Sequence, residues 1–243
     1  MLLRFLKLLF GLLCGTIFLL TLFIVIPCYF FAFNFFSDKK APHIAHRISQ
    51  VWAKIILRVF FIRVKVHGRE YIDENKTYVF VANHQSQIDI PIYAVACKNT
   101  LRYLAKKELT KIPLLGYVIN KLYLSVDRSD KEARYRSMLN LRQSLEEGIS
   151  VFICPEGTRN RTDKPLVEFK EGAFRLAIEA QVPLAALTLV DSKKLLSPEH
   201  GLELSPGTID IIWDKPIDTT GMTEKDIPVL KERVWGMMSA HLK

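Results

Sequence analysis

The sequence of 243 residues predicts an α/β domain with a central, mostly parallel sheet flanked by helices, preceded by an N-terminal membrane-binding helical segment. Three observations support this. An apolar run without a charged residue fills 8–37, and an amphipathic helical pattern follows over 43–62. Short apolar runs then alternate with amphipathic helical patterns to the end of the chain. We therefore divide the chain into a membrane-associated segment, 1–62, and an α/β domain, 63–243.

The apolar run is longer than the roughly 20 residues that a helix needs to cross a bilayer. Arg4 and Lys7 precede it, as in a secretory signal peptide, but the run is too long for one, and no small-x-small cleavage site follows. Pro27 can kink or break a helix, and basic residues flank both ends, so the positive-inside rule does not fix a topology. Two arrangements remain open: one tilted span, or a re-entrant hairpin with both ends on the same side.

The segment 43–62 predicts a helix at a membrane surface. Arg47, Lys54 and Arg58 share one face, and apolar residues at helical spacing share the other. The apolar residues are Ile44, Ile48, Val51, Trp52, Ile55, Ile56, Val59 and Phe60. Such a pair of stripes, with a tryptophan, is typical of an interfacial helix. The alternative is a helix packed on the domain core with a solvated basic face.

Seven strands and four helices are predicted in the α/β domain. The predicted strands are 64–66, 78–82, 101–105, 122–126, 149–154, 184–190 and 208–213. The predicted helices are 91–96, 130–147, 172–180 and 223–242. No GxGxxG or GxxxxGK[ST] motif occurs, which argues against a nucleotide-binding domain.

The composition restricts the partners and the chemistry. There are 34 Lys and Arg against 25 Asp and Glu, and the resulting net charge of +9 fits an anionic partner: phospholipid, nucleic acid or a phosphorylated substrate. The four cysteines form no CxxC pair and no Cys/His cluster with zinc spacing. We therefore expect buried, reduced thiols in a reducing compartment, with no disulfide framework, catalytic cysteine or metal site.

The stretch NHQSQID, residues 83–89, brings an imidazole and a carboxylate together where a predicted strand ends. On a helix or a strand the spacing of His84 and Asp89 would point their side chains apart, so contact requires a turn. The polar residues between them allow one, and Asp89, followed by Pro91, fits a helix N-cap. Asp89 would then accept a hydrogen bond from Nδ1 of His84 and leave Nε2 as a base.

The stretch contains no cysteine, and we interpret its one serine, Ser86, as an ordinary turn residue and not as a nucleophile. The economical hypothesis is that the substrate supplies it, as a hydroxyl that His84 deprotonates while the hydroxyl oxygen attacks an activated acyl carbon. In the alternative, His84 ends a strand and Asp89 caps a helix, without chemistry. The H-x4-D pattern alone does not decide between the two.

Cations follow three further predicted strands. Arg159 stands in CPEGTR, Arg128 in SVDR, and Lys106 with Lys107 in LAKKE. Ligands of α/β proteins bind at the carboxyl ends of parallel strands. An arginine there can clamp a phosphate through two hydrogen bonds. The repetition of cations therefore indicates a phosphate-bearing substrate.

Four motifs occur in the same order and spacing as in a known family: NHQSQID, YLSVDR, CPEGTRN…FKEGAFRLA and VPLAAL. Over roughly residues 65–215 the chain resembles the glycerolipid acyltransferases, specifically the 1-acyl-glycerol-3-phosphate acyltransferases, and its N-terminal helices resemble those of bacterial members. The resemblance implies acyl transfer from acyl-CoA or acyl carrier protein to lysophosphatidate, giving phosphatidate. It implies no metal or prosthetic group, and it implies a membrane location with the catalytic domain facing the cytoplasm.

The resemblance also implies roles for individual residues. His84 would be the general base and Asp89 its orienting partner. The residues that would bind the glycerol phosphate are Lys106, Arg128, Glu156, Gly157, Thr158 and Arg159. Val182 and Pro183 would shape the acyl-donor region. The chain departs from the family pattern at Gln87, where an aromatic residue is common, and at Cys154, where Phe is usual, and these departures leave the acceptor open.

Other functions compete with this one. A related lysophospholipid or lipid acyltransferase with another acceptor would use the same His–Asp chemistry. A membrane-tethered nucleic-acid-binding protein would use the net charge but would leave the His–Asp turn unexplained, so we expect no nucleic-acid partner. A catalytically silent scaffold that recognises anionic lipid is a third possibility.

Overall fold

A seven-stranded sheet forms the centre of the computed structural model, which describes residues 1–112, 115–126 and 130–242. The strands are β1 (Ile62–His67), β2 (Val79–Ala82), β3 (Leu101–Lys106), β4 (Leu124–Val126), β5 (Ser150–Ile153), β6 (Leu184–Val190) and β7 (Gly207–Trp213). The helices are α1 (Leu2–Phe35), α2 (Ala41–Val59), α3 (Asp89–Ala96), α4 (Leu115–Leu122), α5 (Lys131–Glu146), α6 (Gly172–Ala180), α7 (Ser192–Leu195) and α8 (Ile227–His241).

The residue pattern of each strand matches its position in the sheet. β2, β5 and β6 are apolar with little interruption, and nearly all of their residues are buried because helices cover both faces of the sheet. In β1, at the edge of the sheet, buried or half-buried residues alternate with exposed ones, among them Arg63 and Lys65. Charged residues on an exposed edge strand hinder pairing with another chain.

The strand order is β1-β7-β6-β2-β5-β3-β4. From β6 to β4 all neighbours are parallel, whereas β7 runs antiparallel to β6, and β1 is parallel to β7. The carboxyl ends of β6, β2, β5, β3 and β4 therefore share one edge of the sheet, which we call the carboxyl edge. We call the opposite edge, where these five strands begin, the amino edge.

All seven predicted strands are confirmed within a few residues, as are the four predicted helices, which correspond to α3, α5, α6 and α8. The predicted end of the second helix is confirmed by Gly148, whose φ of 78° is one that glycine adopts without strain. Helices α4 and α7 were not predicted from the sequence. The last residue of α4, Leu122, falls within a run that we predicted as the start of a strand, because short apolar segments fit both structures.

The N-terminal apolar run forms one continuous helix, α1, with Pro27 inside it. It is the one described helix that is long and apolar enough to cross a membrane. It lies antiparallel to α2, since Thr21 Oγ1 accepts from Trp52 Nε1 at 3.0 Å and the hydroxyls of Tyr29 and Ser49 are 2.7 Å apart. A re-entrant turn within the run, one of the two arrangements left open by the sequence, is not formed.

Helix α1 contacts the α/β domain at both of its ends. Arg4 forms a 2.8 Å ion pair with Glu203, in the loop before β7 at the carboxyl edge. Near its other end, Asn34 Nδ2 donates to the Tyr117 hydroxyl of α4 at 3.3 Å. A helix of 34 residues is on the order of 50 Å long. The domain therefore supports α1 along most of its length, and many leucine and phenylalanine side chains on its outer side stay exposed.

Helix α2 packs one face on the rest of the protein and leaves part of its apolar stripe exposed. Its inner face, which includes Ala45, Ala53 and Ile56, is buried against α1, α3 and the sheet. Val51, Ile55 and Val59, which the sequence assigned to one apolar stripe with Ile56, remain exposed. The predicted apolar stripe is therefore divided between the core and the surface. The stripe covers more of the circumference of α2 than the neighbouring elements bury.

We predict that Gly11→Ala and Gly15→Ala, both in α1, change stability in opposite directions. A Cβ at Gly11 would overlap the carbonyl oxygen of Leu202, whereas at Gly15 it would meet no described atom within 4 Å. Alanine in place of glycine stabilises a helix by about 1 kcal/mol, whereas overpacking destabilises the folded protein by about 1–3 kcal/mol. Thermal unfolding in detergent should show a lower Tm for Gly11→Ala and an equal or higher Tm for Gly15→Ala. Equal shifts in both variants would contradict the close packing of α1 on this loop.

Candidate active site

The predicted turn between His84 and Asp89 is formed at the carboxyl edge. Nδ1 of His84 lies 2.8 Å from Oδ2 of Asp89. Because a carboxylate only accepts hydrogen bonds, Nδ1 carries the proton, and Nε2 is left with a lone pair. The described part of the chain places no hydrogen-bond partner on Nε2, and 18% of the His84 side chain is exposed. The imidazole is therefore partly exposed in the described structure.

Asp89 organises the turn as well as the imidazole. The same oxygen, Oδ2, accepts the backbone N–H groups of Gln85 at 2.7 Å and Ser86 at 2.8 Å, and the side chain is fully buried. The sequence analysis predicted Asp89 as the N-cap of a helix, and this is wrong: Asp89 is the first residue of α3, and Ile88 precedes it as the N-cap. Oδ2 bonds backwards to the turn and to His84, whereas Oδ1 is buried and has no hydrogen-bond partner among the described residues.

Glu156 joins the loop after β5 to the turn that carries His84. Its Oε1 accepts the backbone N–H of His84 at 2.8 Å, and its Oε2 accepts the N–H of Val167 at 3.1 Å. The N–H of Asn160 donates to the carbonyl of His84 at 2.7 Å. The loop therefore holds both the backbone N–H and the carbonyl of His84. Since Glu156 is 3% exposed and both of its oxygens are engaged, the geometry gives it a positioning role for His84.

Burial raises the pKa of Glu156 to about 7, although the N–H groups of His84 and Val167 favour the charged form.

The loop after β5 also contains Gly157, which has a φ of 71°. The N–H of Gly157 donates to the carbonyl of Cys154 at 3.0 Å. A side chain at this φ would be strained, so glycine suits the tight turn after β5.

The remaining residues expected at the site are brought together only in part. Thr158 is exposed and Arg159 is half-buried in the loop after β5, and no described carboxylate pairs with Arg159. Lys106 ends β3, the strand next to β5, and its side chain is not among the described ones. Arg128 lies outside the described residues, two positions after the end of β4.

Val182 and Pro183 are not brought to this edge. They precede β6 at the amino edge, where the Pro183 carbonyl accepts the N–H of Val79 at 3.1 Å and the Val182 carbonyl accepts the Thr219 hydroxyl at 3.0 Å. A seven-residue strand rises roughly 23 Å, so the two residues lie far from His84. Their contacts fix the start of β6, and any acyl-donor region that they shape would lie at the amino edge.

Three polar residues that the sequence analysis gave no role support the site. Asn83 is fully buried; its Nδ2 donates to the Leu189 carbonyl at 2.9 Å, and its Oδ1 accepts the Leu189 N–H at 2.8 Å, which ties the end of β2 to β6. The Tyr93 hydroxyl donates to the carbonyl of Asn83. Ser86 Oγ donates to the Leu196 carbonyl at 2.6 Å. One sequence signal could have pointed to Asn83 as a supporting residue: it directly precedes the histidine at the end of an apolar strand.

The fold and the site define an α/β protein in which a histidine–aspartate pair stands at the carboxyl ends of parallel strands. Within the described ranges, no group of three His, Cys, Asp or Glu residues is placed to hold a metal ion. The sequence model of the acyltransferase family matches residues 63–190. This range includes the turn from His84 to Asp89 and the loop after β5. The chain therefore belongs to the acyltransferase family.

Relatives in this family carry more specific names. The chain is 30% identical over 178 residues to 1-acyl-sn-glycerol-3-phosphate acyltransferase alpha of Mus musculus, covering 72% of this chain and 62% of the relative. It is 31% identical over 188 residues to 1-acyl-sn-glycerol-3-phosphate acyltransferase of Saccharomyces cerevisiae, covering 74% and 60%. The chloroplastic enzyme BAT2 of Brassica napus is 29% identical over 182 residues, covering 74% and 52%. The chain thus spans about half to three-fifths of the length of these curated relatives.

The fold also matches a solved structure. The crystal structure of the 1-acyl-sn-glycerophosphate acyltransferase PlsC from Thermotoga maritima superposes with a TM-score of 0.82. The match covers 98% of this chain and 97% of that chain at 24% sequence identity. The similarity therefore includes the two N-terminal helices as well as the α/β domain.

We predict that Glu156→Gln lowers kcat and leaves the KM for the acceptor nearly unchanged. The amide can accept only one of the two backbone N–H groups that the carboxylate accepts, so either His84 or Val167 loses its partner and the link between the two segments is broken. Steady-state kinetics at varied acceptor concentration measure the two constants. A large rise in KM with an unchanged kcat would instead assign Glu156 to the substrate.

Proposed function

We propose that this protein is a 1-acyl-sn-glycerol-3-phosphate acyltransferase, which transfers an acyl group from a thioester to the free hydroxyl of lysophosphatidate and forms phosphatidate. The observation that carries the proposal is the hydrogen-bonded pair of His84 and Asp89, with the imidazole partly exposed and Nε2 without a described partner. The names of the relatives supply the substrate, because the chemistry of the pair fits any lipid hydroxyl. Acyl-CoA or acyl carrier protein would be the donor.

The reaction uses His84 first as a base and then as an acid. Nε2 takes the proton of the acceptor hydroxyl while the hydroxyl oxygen forms a bond to the thioester carbonyl carbon. The C–S bond then breaks, and the imidazolium returns the proton to the departing thiolate, so that an ester and a thiol are the products. Asp89 keeps Nδ1 protonated and stabilises the imidazolium formed between the two steps.

The phosphate of the acceptor would bind to Arg159 and to the cations at the neighbouring strand ends, Lys106 and Arg128. The parallel strands β2, β5, β3 and β4 are consecutive in the sheet, so residues that follow them lie in a row along the carboxyl edge. A guanidinium without a described carboxylate partner keeps its donors for a ligand, and Arg159 is such a group. The row would hold the headgroup while the hydroxyl reaches His84.

The same proposal gives α1 a place in one leaflet of the membrane. Both ends of α1 contact the α/β domain, at Glu203 and at Tyr117, so a crossing of the bilayer would require the domain to enter the hydrocarbon region. In our proposal the exposed leucines and phenylalanines of α1 face the acyl chains, and the domain stays on the cytoplasmic side, where soluble acyl thioesters are available. The acceptor would then reach the carboxyl edge without leaving the leaflet.

We predict that His84→Ala lowers kcat by at least about 10²-fold with little change in the acceptor KM, since a positioned base contributes about 10²–10⁴-fold. The assay measures phosphatidate formed by purified protein from lysophosphatidate and a labelled acyl thioester. His67→Ala is the matched control, because Nε2 of His67 also pairs with an aspartate, Asp210, at 2.7 Å, but on the edge strand β1. Near-normal turnover of the His84 variant would rule out the proposed base.

We predict that Arg159→Ala mainly raises the KM for lysophosphatidate. Loss of a charge-assisted hydrogen bond reduces binding by about 2 kcal/mol, or roughly 30-fold. Arg233→Ala, on the exposed side of α8, is the control and should leave both constants unchanged. An Arg159 variant with wild-type KM would remove this residue from the acceptor site.

A further inference from the structure

A cavity of about 610 Å³ opens at the amino edge of the sheet, opposite the catalytic pair. Its walls come from three sources: the turn between α1 and α2, the start of α2, and the loops that lead into β2, β3 and β5. We call it the basal cavity. Strands of four to seven residues, which rise roughly 13–23 Å, separate it from the carboxyl edge. It is therefore distinct from the acceptor site proposed above.

The walls of the basal cavity are cationic. Lys40 and Arg47 come from the α2 side, and Lys76 and Lys98 come from the loops before β2 and β3. Glu74 is the one carboxylate in the lining, and it is paired with Lys98. For Lys40, Arg47 and Lys76, the described residues provide no carboxylate partner.

The two histidines in the lining leave this charge in place. His46 is buried, and burial lowers its pKa to about 4, so its ring is neutral near neutral pH. Nδ1 of His43 is 2.6 Å from the Thr100 hydroxyl, a neutral partner. The lining therefore carries an excess of cations from two sides of a concave surface, which suits an anion with several oxygen atoms.

An exposed aromatic surface adjoins these cations. Phe36 lines the basal cavity, and it contacts Phe31, whose ring stacks on Phe35 with centroids 4.7 Å apart. All three side chains are at least 40% exposed. Aromatic side chains beside Lys and Arg are typical of proteins at the boundary between acyl chains and headgroups. A phosphate site directly beside exposed phenylalanines fits a lipid rather than a nucleic acid.

We propose that the basal cavity binds the phosphate headgroup of an anionic phospholipid, whose acyl chains lie along Phe31, Phe35 and Phe36. This lipid is not consumed in the acyl transfer, because the cavity lies at the opposite edge of the sheet from His84. It holds the turn between α1 and α2 at the headgroup layer and gives the protein a preference for anionic membranes. The proposal requires membrane attachment through α1 but does not depend on the identity of the acyl acceptor.

The test is a competition between two kinds of vesicle. Purified protein partitions between vesicles of phosphatidylcholine and vesicles of phosphatidylcholine with phosphatidylglycerol, so that the apolar contribution of α1 cancels in the ratio. The test variant combines Lys40→Gln, Arg47→Gln and Lys76→Gln. The matched control combines Lys225→Gln, Lys231→Gln and Arg233→Gln, which removes the same charge from α8 and the turn before it. Thermal unfolding in detergent verifies that both variants are folded.

We expect the preference for anionic vesicles to fall on the order of 10²-fold in the test variant, since each cation at a membrane surface contributes about 1 kcal/mol. The control should keep the wild-type ratio. Equal losses in both variants would assign the preference to overall charge and overturn the proposal, as would an unchanged ratio in the test variant. Displacement of the protein from anionic vesicles by inorganic phosphate at matched ionic strength would also overturn it, since the site would then recognise free phosphate.

A last measurement separates this proposal from the proposed reaction. Acyl transfer to lysophosphatidate dispersed in detergent should be unchanged in the test variant, because none of its three residues lies at the carboxyl edge. If the protein has no such activity at all, the proposed function fails while the vesicle ratio still tests the basal cavity. If activity is normal and the ratio is unaffected by the substitutions, the basal cavity proposal fails alone.

Discussion

One buried oxygen atom, Oδ2 of Asp89, determines the geometry of the site. It accepts three hydrogen bonds, from the imidazole of His84 and from two backbone N–H groups of the turn between them. The turn, the proton position on the ring and the entry into α3 are therefore set by the same contact. A carboxylate without a hydrogen-bond donor would be expensive to bury, and the three donors to Oδ2 offset part of that penalty, while Oδ1 has no described partner. The His84–Asp89 pair and the local fold cannot be altered independently.

The loop after β5 provides a second set of contacts that hold His84 in place. Asp89 holds the side chain of His84, whereas Glu156 and Asn160 hold its backbone N–H and carbonyl. A general base has to stay within about 3 Å of the proton that it removes, so motion of the backbone is as harmful as rotation of the ring. The HxxxxD and PEGTR motifs thus occur together for a physical reason. The loops that contain them follow the neighbouring strands β2 and β5 and are hydrogen-bonded to each other.

The sequence predicted those parts of the structure that depend on local pattern. Apolar runs located the seven strands, and the spacing of His84 and Asp89 implied the turn between them. The backbone contacts of Glu156 were not predicted, because its partners are N–H groups 72 and 11 residues away and a backbone N–H has no sequence signature. Val182 and Pro183 lie at the amino edge for a different reason, the direction of β6, which sequence order does not reveal.

The contacts of α1 lead to a physical picture of how the protein meets a membrane. Its first turn pairs with Glu203 near the carboxyl edge, and the residue after its end, Phe36, lines the basal cavity at the amino edge. One apolar helix thus extends past both edges of the sheet. If its exposed side lies in a leaflet, the row of strand ends that carries His84 and the cationic walls of the basal cavity both stand beside headgroups. A lysolipid could then reach the base by lateral diffusion, and an anionic lipid in the cavity would limit rotation of the domain about the axis of α1. Two separated contacts are needed for that constraint, because a single apolar helix fixes depth in the membrane but leaves such rotation free.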